Sequence, residues 1–281
     1  MVVNLHDCGL APPILDWFRQ HAIVHTAEPS FKLSQAGLSA QRGLFGFSKA
    51  RLGDLADPML FEFCLQLGMP SELLQHYQQA LVQTGYVGFG YECDGDVKRY
   101  KAYLDFSAHA SAGIRILGSN DSKLQFLGYK WVNAGANEGK TRAVITEYRA
   151  FPLLSRRGMR RRSLECLGQL NAGKNVIETA FSICARDWPD RPLEYMEARE
   201  AGNARVSFDI KFYSTSFCLA SLLPELQFLG DQLGLGPDLN TLLQANANSR
   251  LGHLAGGLDR SGIPFLMVYH GVKRRITPEP V

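Results

Sequence analysis

The chain has 281 residues, 46% of them hydrophobic and 20% charged, enough to bury a full core in one large globular domain or two small ones. Its 30 basic and 27 acidic residues leave a net charge of +3, too little for a nucleic-acid footprint and suited to a small anionic ligand. No segment approaches the roughly 20 apolar residues of a spanning helix, and the first ten residues lack a signal peptide's basic start and apolar run. Six scattered cysteines (Cys8, Cys64, Cys93, Cys166, Cys184, Cys218), none in a C-x-x-C pair, read as free thiols. A cytoplasmic protein with no transmembrane segment and no nucleic-acid partner is expected.

Residues 1–55 read as an N-terminal arm that packs on the rest: Pro12-Pro13, a short amphipathic turn with Ile14, Leu15, Trp17 and Phe18, then a Ser/Gly/Gln-rich stretch from Lys32 to Gly46. Asp57-Pro58 opens a helix with Leu60, Phe61, Cys64 and Leu65 on its apolar side, and Gly68 stops it. Ser71 is placed to cap a second helix carrying Leu73, Leu74, Tyr77 and Leu81. Tyr86–Cys93 and Val97–Phe106 flank Asp94-Gly95-Asp96, the turn of an antiparallel hairpin. A period of two puts Lys98, Tyr100, Ala102, Leu104 and Phe106 on one face of the second arm, and Val97, Arg99, Lys101, Tyr103 and Asp105 on the other.

A second strand pair spans 124–132 and 141–151, and Pro152 closes it. The run Arg156, Arg157, Arg160, Arg161, Arg162 begins a helix, and another follows from Asn175. A short strand within 193–202 and a strand over 205–214 come next. The latter alternates Val206, Phe208, Ile210 and Phe212 with Ser207, Asp209, Lys211 and Tyr213. A Leu-striped helix capped by Ser221, a short helix from Asp238, and a last strand pair, 251–258 and 265–273, complete the chain.

Helices thus alternate with hairpins, which excludes a sheet of single strands joined by crossover helices. The fold class is α+β: repeated helix–hairpin–helix units whose helices cover the apolar strand faces. The opposite faces then converge on an interior, a closed or nearly closed antiparallel β-barrel lined by Lys, Arg and Tyr and surrounded by helices. The barrel domain is set at 56–275, with a tail at 276–281. There is no G-x-S-x-G elbow, phosphate-binding P-loop, helix-opening G-x-G-x-x-G or H-E-x-x-H.

In order and pattern, residues 57–273 resemble the ABBA aromatic prenyltransferases, the soluble bacterial members more than the larger fungal ones. The resemblance is carried by Tyr86-Val87-Gly88-Phe89-Gly90-Tyr91, Tyr103-Leu104-Asp105-Phe106-Ser107, Thr146-Glu147-Tyr148-Arg149-Ala150-Phe151-Pro152, and the strand at Val206 with the Leu-striped helix and Phe265-Leu266-Met267-Val268-Tyr269 after it. The family adds one more strand pair, which the C-terminus lacks, so closure falls to the N-terminal arm or does not occur. Phe265 stands where the family tends to place a basic residue, and Thr146 where a Lys is common.

The resemblance implies transfer of a prenyl group from an allylic diphosphate to an aromatic or electron-rich acceptor in the lumen. Such a site needs fixed cations and hydroxyls on the leaving oxygens, and aromatic faces around the carbocation. Arg99, Lys101, Tyr103 and Lys211 are then the diphosphate ligands. Lys101, Tyr148, Lys211 and Tyr213 are the catalytic set, and His253, Phe265, Met267 and Tyr269 line the acceptor pocket. No cofactor is required, and Asp105 matches a position that admits Mg²⁺.

Each residue also has a plainer reading. Lys101 and Lys211 read alone as solvated, Tyr148 and Tyr213 as core tyrosines, and the arginine run as a solvated helix face. Two other functions fit the same pattern: a non-catalytic barrel carrying a large hydrophobic pigment or lipid, and an interaction protein using its arginine helix.

Overall fold

The computed structural model describes residues 11–94, 97–107, 122–132 and 143–275. Ten antiparallel strands run in sequence order around a barrel: β1 His25–Ser34, β2 Gly37–Ser48, β3 Tyr86–Asp94, β4 Val97–Asp105, β5 Lys123–Val132, β6 Val144–Ala150, β7 Glu194–Arg199, β8 Val206–Lys211, β9 Leu251–Leu258 and β10 Pro264–His270. β10 pairs back onto β1, from Ser30↔Tyr269 to Ser34↔Phe265, and closes the ring. A short β11, Lys273–Arg275, pairs with the start of β1.

Seven α-helices are described: α1 Ala11–Gln20, α2 Ala56–Gln66, α3 Ser71–Leu81, α4 Arg156–Cys166, α5 Asn171–Asp187, α6 Leu223–Gln232 and α7 Gly236–Asn246. They pack outside the sheet in two groups. α1–α3 cover β2–β5 through Trp17, Phe63, Leu74, Phe89 and Leu104, and α4–α7 cover β1 and β7–β10 through Ile177, Phe181, Leu226, Phe208 and Leu266. Most strands therefore turn their larger apolar residues outward to the helices and their charged residues inward, with Phe265 and Met267 of β10 as inward apolar exceptions, and the result is the reverse of a small barrel with an apolar filling.

Within residues 11–55 the chain both packs on the barrel and supplies strands to it. Pro12 and Pro13 occupy the first turn of α1, where no intrahelical N–H is needed, and Ile14, Trp17 and Phe18 bury one face, with Trp17 stacked 4.4 Å from Phe63. Residues 25–48 are β1 and β2, so the pair that the C-terminus lacks comes from the N-terminus. Ser71 does not cap α3, because Pro70 holds the N-cap position and no side-chain bond is made there. Ser221 lies in a 3₁₀ turn, Leu219–Leu222, and α6 starts after it with Pro224 in its first turn.

The arginine run of α4 is tied inward in part. Arg156 donates to the carbonyls of Cys184 (3.1 Å) and Trp188 (2.6 Å) at the C-terminus of α5, where a cation is favoured. Arg162 donates to Glu197 at 2.7 Å, and Arg160 grips Glu178. The five described cysteines are free thiols, and Cys8 lies outside the described residues. No helix among the described residues is long and apolar enough to cross a membrane.

Gly256-Gly257 marks a close approach of backbone to backbone. Gly257 has φ +142°, and a Cβ there would lie 2.2 Å from the Val206 carbonyl oxygen across the β8–β9 ladder. Gly257→Ala is expected to lose about 1–3 kcal/mol of stability or more, read by urea unfolding, because both the dihedral and the contact oppose it.

Candidate active site

Strand parity decides which side chains enter the lumen. On β4 it sends Arg99, Lys101 and Tyr103 inward, while Tyr100, Ala102 and Leu104 are buried under the helices. The cross-strand register carries this phase around the ring: Lys101 sits opposite Lys130, Tyr148 opposite Ala198, Lys211 opposite His253, and His253 opposite Tyr269. The turn ends of the hairpins share one rim, and the helical connections leave from the other.

Toward the hairpin rim lies a cavity of about 800 Å³, lined by Lys32, Arg42, Arg99, Lys101, Lys130, Arg205 and Arg260 against only Glu92 and Asp259. Tyr103, Tyr148, Tyr269, Phe265 and Met267 complete its aromatic and apolar wall. The rings of Tyr103 and Tyr148 meet edge to face at 6.0 Å. Gly128 makes room for both, since a Cβ there would come within 2.9 Å of Tyr148 and 3.1 Å of Tyr103. Burial pushes the ionisation of Tyr103, Tyr148 and Tyr269 upward, so at neutral pH all three present protonated hydroxyls.

Glu92 organises the cations. It is 1% exposed and binds Arg42 at 2.6 Å, Lys101 at 2.5 Å, Arg99 at 3.7 Å, and Lys130. Burial alone would raise its pKa, but Lys101, Lys130 and Arg42 overcome that and hold it well below the usual carboxylate range. Lys101 is pushed down to about 8 by burial, with Glu92 opposing, and Lys130 is lowered in the same way. A second carboxylate, Glu200, takes Arg260 at 2.6 and 2.7 Å and Arg205 at 3.0 Å. The buried Nε of Arg205 has no hydrogen-bond partner among the described residues. One carboxylate among four cations leaves a strong positive field, which an anion with several oxygens would complete.

The expected site residues divide between two places. Arg99, Lys101, Tyr103, Tyr148, Phe265, Met267 and Tyr269 all line this cavity. Lys211 faces inward but lies at the helical end of β8, where it binds Glu194 at 2.9 Å and covers the Phe126 ring. Tyr213 and His253 are its neighbours there, bonded to each other and to Glu28. Lys101 and Lys211 therefore do not share one anion site.

Asp105 accepts the Ser107 amide at 2.7 Å, and no group of three metal-ligating side chains occurs among the described residues. These residues do not fit a metal centre. Arg42, Glu92, Lys130, Arg205 and Arg260 were not singled out from the sequence. Parity on the first hairpin arm, Tyr86, Gly88, Gly90 then Glu92, was the available signal for one of them.

No protein-family model and no curated protein matches this chain. Solved structures share its fold. AnaPT from Neosartorya fischeri superposes with a TM-score of 0.53 over 87% of this chain and 77% of that one, at 13% identity. NotF prenyltransferase gives 0.54 over 87% and 80%, at 12% identity. The 6-dimethylallyltryptophan synthase from Micromonospora olivasterospora, in complex with DMASPP and Trp, gives 0.52 over 87% and 81%, at 14% identity. The chain has the ABBA prenyltransferase-barrel fold, and at such identity the likeness is one of fold.

Glu92→Gln removes the charge that holds Arg42, Lys101 and Lys130 together and is expected to cost about 3–5 kcal/mol at neutral pH, read by urea unfolding. Because the folded-state pKa of Glu92 is depressed, its contribution is complete above about pH 4.5 and is lost as pH falls below that. The gap between wild type and variant should therefore narrow in acid. Inorganic pyrophosphate at neutral pH should recover part of the loss.

Proposed function

We propose that this protein is a prenyltransferase that binds an allylic diphosphate in the cationic cavity and transfers its prenyl group to an aromatic or electron-rich acceptor within the lumen. The observation that carries the reading is the concentration of seven basic side chains around one cavity, facing Tyr103, Tyr148 and Tyr269. Breaking the allylic C1–O bond sends its electron pair to the diphosphate and leaves an allyl cation. Lys101, Lys130, Arg42, Arg99 and Arg205 stabilise the negative charge that develops on the leaving oxygens. The protonated tyrosine hydroxyls donate to the same oxygens, and their ring faces hold the cation and keep water from it.

Phe265, Met267 and Tyr269 on β10 form the wall for the acceptor. The fold supports the same reading, since NotF has been captured with brevianamide F and DMSPP, and the Micromonospora enzyme with DMASPP and Trp. A carrier of a purely apolar molecule has no use for so many buried charges, each costly to remove from water.

Thermal shift with dimethylallyl, geranyl and farnesyl diphosphates tests the reading, because a ligand bound only to the folded state raises the melting temperature. Lys101→Ala should lower the affinity by about tenfold or more, whereas Lys211→Ala should leave it within about threefold. Diphosphates that give no shift in the wild type would contradict the assignment. With Lys101 pushed down to about 8 in the free protein, affinity should also weaken as pH rises through that value.

A further inference from the structure

Cations reach the cavity by two routes. Arg42, Arg99, Lys101 and Lys130 stand on β2, β4 and β5 and meet at Glu92. Arg205 and Arg260 come instead from connections at the hairpin rim, Arg205 just before β8 and Arg260 between β9 and β10. A turn residue is more mobile than a strand residue unless something fixes it.

Glu200, the residue after β7, fixes both arginines. Its side chain is 1% exposed. Arg260 donates to it through Nε at 2.6 Å and Nη2 at 2.7 Å, and Arg205 through Nη1 at 3.0 Å. Two uncharged groups hold the same carboxylate, Thr146 Oγ1 of β6 at 2.6 Å and Asn203 Nδ2 at 3.0 Å. Burial alone would raise the pKa of Glu200, but Arg260, Arg205 and Thr146 overcome that and bring it to about 2. Each connection is also closed by its own side chain. Asn203 Oδ1 accepts the Arg205 amide at 2.9 Å, and Asp259 Oδ1 accepts the amides of Ser261 at 2.9 Å and Ile263 at 3.0 Å.

This grip leaves donors to spare. Among the described residues the Arg205 guanidinium makes no hydrogen bond beyond the one from Nη1, and Nη1 of Arg260 makes none. Both arginines line the cavity, whereas Glu200 does not. A carboxylate that only filled the place of an anion would lie in the cavity and depend on the cations around it. Glu200 lies behind the arginines and is also held by Thr146 and Asn203.

We propose that Glu200 is a positioning residue, which holds Arg205 and Arg260 at the cavity mouth to receive the terminal phosphate of the donor, the one remote from the allyl carbon. Depth sets the order of contacts. Arg260 is in the turn itself, Lys130 and Lys101 stand two and four residues inside the hairpin ends of β5 and β4, and Tyr103 stands six residues inside on β4. A donor with its allyl carbons against Tyr103 therefore brings its first phosphate to the lysines and its second to the arginines. A terminal phosphate has three free oxygens, and a fixed guanidinium fork meets them with more geometric selectivity than a lysine does. The inference rests on the prenyl-transfer reading.

Calorimetric titration of the full chain with dimethylallyl S-thiolodiphosphate, which does not ionise readily, and with dimethylallyl monophosphate tests it. Wild type should prefer the diphosphate by about tenfold or more. In Glu200→Gln that preference should fall to within about threefold, because the diphosphate loses affinity and the monophosphate keeps its own. Arg260→Lys retains the charge without the two-armed bond to Glu200, and it too should cut the preference by about threefold or more. Removing a negative charge would by field alone tighten diphosphate binding, and general loosening would weaken both ligands equally. Either of those results in Glu200→Gln, an unchanged preference, or a wild type with no preference overturns the inference. If Glu200→Gln does not fold, Arg260→Lys decides, and an unaltered preference there overturns it. A wild type that binds the diphosphate while the variants match it leaves the prenyl-transfer reading standing and removes this one; a wild type that does not bind the diphosphate removes both.

Discussion

The ladder between β1 and β10 is the contact on which the rest of the molecule depends. It joins the N-terminal hairpin to the last one, Phe31 opposite Val268 and Lys32 opposite Met267, and leaves neither strand as an open edge within the ring. Closure turns ten inward faces into the wall of one enclosed space. A Lys, Arg or Glu at an inward position is then removed from bulk water wherever it lies on the chain. Most of the apolar residues point outward, and the seven described helices cover them.

A polar lumen has to balance its own charges, and this one does so unevenly along its length. At the hairpin rim Glu92 serves four cations, while Glu200 takes Arg205 and Arg260 and Asp259 takes Lys32, so cations outnumber carboxylates and the field stays positive and open to an anion. At the helical rim the balance reverses: Glu28 and Asp209 surround one imidazole, and Lys211 is already matched by Glu194. Tyrosines lie between the two ends. Neither end is legible from net charge, since +3 over the whole chain averages opposite poles.

The sequence showed the middle of this structure better than its ends. The hairpin at 86–105 was readable because Asp-Gly marks its turn, and the period of two then assigned Lys101 and Tyr103 to the lumen. β1 and β2 were not readable. Pro29 interrupts β1, a register shift follows between Ser30 and Lys32, and β2 contains Gly43, Gly46 and few β-branched residues. Tertiary pairing overrides weak local preference there. The shared Lys-x-Tyr pattern placed Lys101 and Lys211 on the same side of the sheet but could not say at what height, because strand tilt and direction set that. Glu92 was overlooked since a glutamate in a strand usually faces water. The partners of His253 lie 44 residues before it at Asp209 and at Glu28 near the N-terminus, a proximity that only closure creates.

The central claim is that the cations gathered around Glu92 hold a diphosphate. A crystal structure of the protein with dimethylallyl S-thiolodiphosphate tests it most directly. The account predicts the diphosphate between Lys101, Lys130 and Arg205, with the allyl carbons against Tyr103 and Tyr148. A diphosphate bound instead beside Lys211, or on the outer surface at the α4 arginines, would contradict it.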